Sequence, residues 1–303
     1  MKLYSIEQKK KEKVEGLGGK YIHFLKREGK SKNTIESYSR SVRKYNDWFE
    51  KKYGNQPSKL FRENFNEYKE YLQKRKLSPK TFNLHLTGLA SFNQFLIKEK
   101  VQSEIVITKK DFKKIQKTIA SPCRFEKDEI MRFVQCVLEI GNMRDYCLVN
   151  LLIYSGLRIT EALSLTLDCV RLETRELVVR DGKGNKSRTV LIGDKLARVL
   201  NDYLVNIRPT YNLCQQSEFL FVSNKSPQLS RMSENKAFRK YNRLASVSDL
   251  TPHDCRHFFV TNLLKNGFDV HEVANMAGHS NVQTTLIYSN PSRKKMLEKL
   301  NSL

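Results

Sequence analysis

Residues 251–288 read TPHDCRHFFVTNLLKNGFDVHEVANMAGHSNVQTTLIY, and the interpretation of the whole chain turns on them. Thr251 and Pro252 make an N-cap followed by proline at the first helical position, so His253 falls in the first turn of a helix. His253 and Arg256 lie three residues apart and share a face, with Phe258, Phe259, Leu263 and Leu264 as apolar packing. Gly267 ends that helix. Asp269 and Glu272 form a capping box for the next one, which turns Val270, Val273 and Met276 inward and stops at Gly278. His279 follows that helix end, and Ser280 or Asn281 caps a last segment carrying Tyr288. Two histidines, an arginine and a tyrosine on consecutive short segments suit one chemistry. A tyrosine attacks a phosphodiester while cations hold the phosphate.

Two rival readings apply to the same residues. His253 and His257 have the four-residue spacing of a zinc pair, but no glutamate follows the first histidine and Arg256 places a cation between the ligands. Alternatively a capping histidine, an exposed arginine and a core tyrosine are each ordinary. Their joint occurrence argues against that reading.

Composition supports an anionic partner. The 303 residues carry a net charge of +23, which points to nucleic acid or an anionic membrane surface. Residues 1–100 hold 24 Lys+Arg against 11 Asp+Glu, so more than half of the excess sits in the first third. That density favours a DNA-gripping front module over a merely solvated lysine-rich surface. The longest apolar run, Cys147 to Tyr154, is too short to span a bilayer and contains Asn150. The lysine-rich start is no signal peptide. Cys123, Cys136, Cys147, Cys169, Cys214 and Cys255 are scattered without a Cys-x-x-Cys pair, which fits a reducing cytoplasm better than a disulfide or zinc framework.

Residues 17–100 show four amphipathic helical patterns. The first holds Leu17, Tyr21, Phe24 and Leu25, and the second Ile35, Tyr38, Val42, Tyr45 and Phe49. Phe61, Phe65, Tyr68 and Leu72 mark the third, and Phe82, Leu86, Leu89, Phe92 and Leu96 the fourth. The aromatic stripes read as core. Lys30, Lys32, Arg43, Lys74, Arg75, Lys76 and Lys80 are the candidate DNA contacts, with backbone N–H groups at helix starts as further phosphate donors. Residues 101–122 read as a basic linker with an extended piece at 104–108 and a short helix at 110–118, a connector that lets two modules clamp a duplex.

Beyond the linker, helices are expected at Lys127 to Ile140 and Met143 to Tyr154, the latter apolar nearly all round. Arg158 follows the Gly156 turn, where it is either a structural ion pair with Glu161 or a phosphate ligand. Glu176 to Arg180 and Thr189 to Ile192 read as two strands joined by a Gly-rich turn with Lys183 at its tip, a position where a lysine is most often just solvated. Another helix is expected at Leu196 to Ile207 and a short strand at Phe219 to Val222. A basic helix from Glu234 to Leu244 offers Lys236, Arg239, Lys240 and Arg243 to DNA.

The ordered set is Ser155-Gly156-Leu157-Arg158-Ile159-Thr160-Glu161, then Gly182-Lys183-Gly184-Asn185-Lys186-Ser187-Arg188, then His253-x-x-Arg256-His257, Gly278-His279-Ser280 and Tyr288. Over about residues 17–290 it resembles the tyrosine recombinase (lambda-integrase-like) family. The resemblance implies a mainly α fold with a small antiparallel β-sheet, in which an N-terminal helical bundle (a SAM-like core-binding domain) precedes a C-terminal catalytic domain. The implied layout is a flexible N-terminus at 1–16, a core-binding domain at 17–100, the linker at 101–122, the catalytic domain at 123–290 and a protomer-docking helix at 291–303. It implies Arg158, Lys183, His253, Arg256 and His279 as the activating set and Tyr288 as the nucleophile. Strand exchange then runs through a covalent 3′-phosphotyrosine and a Holliday junction, with no cofactor, ATP or metal. The implied partners are double-stranded DNA with inverted-repeat core sites, three further copies in a synaptic tetramer, and accessory proteins, with a monomer or weak dimer when free. The short front segment looks more like the compact Xer, transposon-resolvase or simple integrase type than one with an arm-site-binding domain. Cys255 departs from the Leu or Phe usual at its place. A type IB topoisomerase and a non-catalytic DNA-binding regulator on the same fold are the alternatives.

Overall fold

A computed structural model describes residues 17–115, 124–180, 187–278 and Thr285. The chain divides into two compact units, Met1–Lys117 and Thr118–Leu303. The architecture is mainly helical with one small antiparallel sheet, and no helix among the described residues is long and apolar enough to cross a membrane.

The first unit is built from α1 (17–27), α2 (Lys32–Tyr53), α3 (Arg62–Lys74) and α4 (Pro79–Lys98). Ser31 and Ser78 cap α2 and α4 by accepting from the backbone of Thr34 and Thr81, and Pro79 opens α4 at a position where no N–H is needed. The helical period puts Tyr21, Leu25, Tyr45, Phe65, Tyr68, Phe82, Leu89 and Phe95 into one core, where T-shaped pairs such as Tyr45–Tyr68 lock the rings. Close passage of α2 and α4 depends on Gly88, because a Cβ there would stand 2.6 Å from the Cβ of Ser41. Phe61 departs from its expected core place. It is the N-cap of α3 and is 40% exposed, with the Lys59 ammonium over its ring.

The described part of the expected linker is not a free connector. Val106 and Ile107 are buried in the first core, and the Asn93 side chain donates to the Glu104 carbonyl and accepts from the Val106 amide. A 3-10 turn, Lys109–Asp111, replaces the helix expected at 110–118, of which residues 116–118 lie outside the described residues. Asp111 is buried and accepts a bidentate pair from Arg62 at 2.7 Å and a further bond from Lys69 at 3.0 Å. Burial opposes ionisation there, but Arg62, the Thr108 amide and Lys69 outweigh it and hold the carboxyl well below its usual range. The lysine-rich composition of 101–115 hid three inward side chains, and those three decide its packing.

The second unit surrounds α6 (Met143–Ser155), buried on nearly every side as its composition requires. Around it lie α5 (Lys127–Ile140), α7 (Ile159–Leu163), α8 (Asp194–Asp202), α9 (Arg231–Leu244), α10 (Pro252–Lys265) and α11 (Val270–Ala277). The helix expected to reach Ile207 finishes in a π-helical turn, Tyr203–Ile207. The sheet has order β1-β2-β3, with β1 (Val170–Arg171), β2 (Glu176–Val179) and β3 (Arg188–Leu191). Leu177 pairs with Val190, and both are fully buried, so the two-residue alternation fixes the register. The two-residue β1 was not expected. The strand expected at 219–222 is instead, among the described residues, a single bridge from Phe219 to Thr166, and Leu220, Phe221 and Val222 then enter the core. The described cysteines are all buried, Cys255 among them in the main core as a small apolar residue.

Glu234 on α9 is 1% exposed, and its Oε2 has no hydrogen-bond partner among the described residues. Burial raises its pKa to about 8, helped by the charge of Asp145 and opposed by Arg144. The folded chain therefore keeps this proton while the unfolded chain releases it above the ordinary value near 4.5, so stability falls as pH rises from there through about 8. Replacing Glu234 by Gln is expected to leave the melting temperature at pH 5 nearly unchanged and to raise it at pH 9. Calorimetry at the two pH values checks this, and an equal change at both contradicts it.

Candidate active site

The site starts where α6 stops. Gly156 takes the left-handed conformation, φ 63° and ψ 18°, and turns the chain so that Leu157 is buried and Arg158 becomes the N-cap of α7. Phe259 of α10 packs so closely over this turn that a Cβ on Gly156 would stand 2.2 Å from its ring. The Gly156 carbonyl, freed by the turn, accepts from Nη1 of Arg256 at 2.6 Å. Arg256 is 4% exposed, so one of the two candidate phosphate-binding guanidiniums is fixed from behind by the turn that carries the other.

Arg158 is held by Glu161. Its backbone N–H donates to Glu161 Oε2 at 2.9 Å, and its Nη1 to Oε1 at 2.7 Å. Arg188 on β3 donates to the same carboxylate from Nη1 at 3.0 Å and Nη2 at 2.9 Å. Burial would raise the pKa of Glu161, but the Arg188 and Arg158 bonds and charges prevail and lower it to about 2. The ion pair between Arg158 and Glu161 is thus real. It does not consume the guanidinium, because the Arg158 side chain stays 33% exposed. Its Nη2 reaches the carbonyl of Gly278 at 3.2 Å. Gly278 caps α11 at φ 67°, so the helix end directly before His279 is tied to Arg158. Arginines on helix C-terminal carbonyls also gain from the helix dipole.

His253 is exposed in the first turn of α10, one turn before Arg256, as the Thr251-Pro252 cap predicts. Thr251 and Asp254 close the capping box, and the backbone N–H of Thr251 donates to Asp254 at 2.9 Å. The His253 and His257 rings meet edge to face at a centroid distance of 4.2 Å. Burial, then the charge of His253, with a smaller push from Arg256, depress the pKa of His257 to about 4 against the opposing Asp254. His257 is therefore neutral near neutral pH.

Arg158, Arg256 and His253 are thus gathered around the Gly156 turn and α10. Lys183, His279 and Tyr288, and the whole of 291–303, lie outside the described residues. All eleven candidate DNA cations are exposed. Lys30 and Lys32 flank the cap of α2, and Lys80 lies in the first turn of α4. Lys74, Arg75 and Lys76 follow one another at the end of α3, with Arg75 over the Tyr71 ring, while Arg43 stands on the outer face of α2. Lys236, Arg239, Lys240 and Arg243 line the open side of α9. Sequence reasoning missed Arg188 as the second partner of Glu161. The Arg158-x-x-Glu161 spacing signalled one cation, but nothing local signals a second from a strand 27 residues away.

Residues 124–295 match the phage integrase family, and residues 19–103 match the N-terminal SAM-like domain of phage integrases. The chain belongs to the phage integrase family. As a tyrosine recombinase it is an enzyme that breaks and rejoins DNA strands. It is 41% identical over 284 residues to the TnP I resolvase of Bacillus thuringiensis, covering 93% of this chain and 98% of that protein. It is 31% identical to the tyrosine recombinase XerD of Staphylococcus epidermidis, covering 91% of this chain and 94% of the relative. Two solved structures share the fold. The Tn1549 transposon integrase in complex with transposon right end DNA covers 94% of this chain and 98% of its own, at 16% identity and a TM-score of 0.72. The XerH site-specific recombinase bound to a palindromic difH substrate covers 88% and 78%, at 22% identity and a TM-score of 0.70.

The close approach of Phe259 and the left-handed backbone both favour glycine at 156 in this tyrosine recombinase. Gly156→Ala is expected to destabilise the second unit by roughly 2–5 kcal/mol, from ~1–2 for a left-handed non-glycine residue and ~1–3 for overpacking. Urea unfolding measures this, and a loss under about 0.5 kcal/mol, the range of ordinary surface changes, contradicts it.

Proposed function

We propose that this recombinase cuts and rejoins double-stranded DNA at specific sites through Tyr288, acting as the resolvase of a mobile element. The observation that carries the chemistry is the anchoring of Arg158 and Arg256 on one turn by the Gly156 and Gly278 carbonyls and by Glu161. Two guanidiniums held that rigidly suit the nonbridging oxygens of a scissile phosphate and the charge that builds on them in a pentacoordinate transition state.

In this reading the Tyr288 oxygen attacks phosphorus and gives its proton to His253. The bond from phosphorus to the 5′ oxygen breaks, and Lys183 protonates that oxygen as it leaves. His279 donates to a nonbridging oxygen. The product is a 3′-phosphotyrosine that keeps the energy of the broken ester, so rejoining needs neither ATP nor a metal. The exposed cations of both units, Lys30, Lys32, Arg43, Lys74, Arg75, Lys76 and Lys80 in the first and Lys236, Arg239, Lys240 and Arg243 in the second, grip the flanking backbone. Four copies exchange strands across inverted-repeat core sites, with the 291–303 segment docking on a neighbour, in the cytoplasm and with accessory proteins where the element supplies them. The resolvase reading rests on the 41% identity to the TnP I resolvase over nearly its whole length.

The test uses a duplex recovered by binding selection from a random pool on the Tyr288→Phe chain, then nicked beside the cleavage position so that the adduct is trapped. The wild-type chain is expected to form a covalent protein–DNA adduct and Tyr288→Phe none. Arg158→Lys and Arg256→Lys are each expected to slow the adduct roughly 10²–10³-fold, by comparison with loss of an oxyanion-hole donor. Adduct from Tyr288→Phe at the wild-type rate sinks the assignment. On a supercoiled plasmid with two sites the expected products are two separate circles, and relaxation alone, with one site sufficing, indicates a type IB topoisomerase instead.

A further inference from the structure

Besides Arg158, Arg188 is the only described residue that hydrogen-bonds the Glu161 carboxylate, and its position joins three pieces of machinery. Its strand, β3, is the return strand of the hairpin that bears Lys183. Its guanidinium forks onto Glu161, whose same two oxygens hold the backbone and side chain of Arg158. Its Nε and Cζ lie against Gly278, where a Cβ would stand 2.5 and 2.6 Å away, and the Gly278 carbonyl accepts from Arg158. The Arg188 side chain is 16% exposed and Glu161 only 4%, so this is a built contact beneath the site and not a surface pair. Arg158, one-third exposed, is the member left facing outward.

We infer that Arg188 is a positioning residue for DNA cleavage, which fixes Arg158 through Glu161 and sets the Gly278 turn before His279 against the root of the Lys183 hairpin. The inference rests on the functional reading above. Four hydrogen bonds fill the four acceptor positions of Glu161, leaving the carboxylate one orientation. A planar fork is what gives that single orientation, whereas a point charge at the same place would let the carboxylate turn. Gly278, whose left-handed φ of 67° favours glycine, packs directly against the Arg188 guanidinium. The root of the hairpin, the Arg158 turn and the end of α11 are therefore held in one relative register by a residue whose guanidinium faces Glu161 and Gly278.

The experiment uses the full-length chain and the nicked duplex described above, in two forms. One has the natural scissile phosphodiester. The other has a methylphosphonate there, in which a methyl group replaces one nonbridging oxygen and removes the negative charge that Arg158 serves. Arg188→Met is expected to slow adduct formation on the phosphodiester on the order of 10²-fold, the usual result of a misplacement near 1 Å. Arg188→Lys, which keeps the charge and loses the fork, recovers part of that rate. DNA affinity by gel shift stays at the wild-type value for both. On the methylphosphonate the gap between wild type and Arg188→Met narrows, because a misplaced Arg158 matters less there, whereas damage to folding slows both substrates alike. Equal rates for wild type and Arg188→Met on the phosphodiester overturn this inference alone, and so does an equal deficit on both substrates. A wild-type chain that forms no adduct removes the functional reading, and this inference with it.

Discussion

A single carboxylate, Glu161, lies under the site with a guanidinium on either side. Taking it out of water costs several kcal/mol, and attraction to its partners offsets that only when geometry is good and every lone pair is used. Here both conditions are met, since Arg158 and Arg188 together supply four bonds of 2.7–3.0 Å. The charge count explains why neither arginine is dispensable. Two cations on one anion leave a net positive charge, and Arg158, one-third exposed, is the one facing outward, which is what the proposed phosphate-binding role asks of it. With one arginine gone the buried carboxylate would neutralise the remaining one.

The second anchoring device is the helix end. α6 and α11 both stop at a left-handed glycine, and both glycines give a carbonyl to an arginine of the site. The glycines also admit the close neighbours that lock the arrangement, Phe259 at Gly156 and Arg188 at Gly278. Local backbone chemistry at two helix termini thus becomes a rigid mount for Arg158 and Arg256, the two guanidiniums proposed to hold the phosphate. The first unit has a related solution in Asp111, where Arg62 and Lys69 converge on a buried carboxylate and tie residues 101–115 to the bundle.

What was legible in the sequence was what local physics decides. The helical period of Tyr21, Phe24 and Leu25, or of Phe65, Tyr68 and Leu72, gives the core face directly. Caps at Ser31, Ser78, Thr251 and Asp269 mark where helices begin. The gathering of Arg158 and Arg256 was legible only through the ordered motif set, because 98 residues separate them. Features set by distant partners were not. Phe61 carries the right spacing for the core yet sits at a helix start, where the turn points it outward. Val106, Ile107 and Asp111 are inconspicuous among lysines until Arg62 and Asn93 are folded against them. Phe219 to Val222 has strand composition but, among the described residues, forms only a single bridge, from Phe219 to Thr166. In the sequence Arg188 is only the last residue of the Gly182–Arg188 stretch, and only the fold reveals that it points into the unit toward Glu161.

The claim on which the rest depends is that Glu161 and Arg188 act as one unit, and a double-mutant cycle on stability measures this directly. Glu161→Gln, Arg188→Met and the two combined are compared with the wild-type chain by urea unfolding of the catalytic unit. Glu161→Gln leaves Arg188 without its anion, and Arg188→Met strips Glu161 of two of its four bonds, so the combined variant is predicted to lose less than the sum of the two, with a coupling of about 1–3 kcal/mol. Losses that simply add, to within about 0.5 kcal/mol, would show two independent residues and contradict the account.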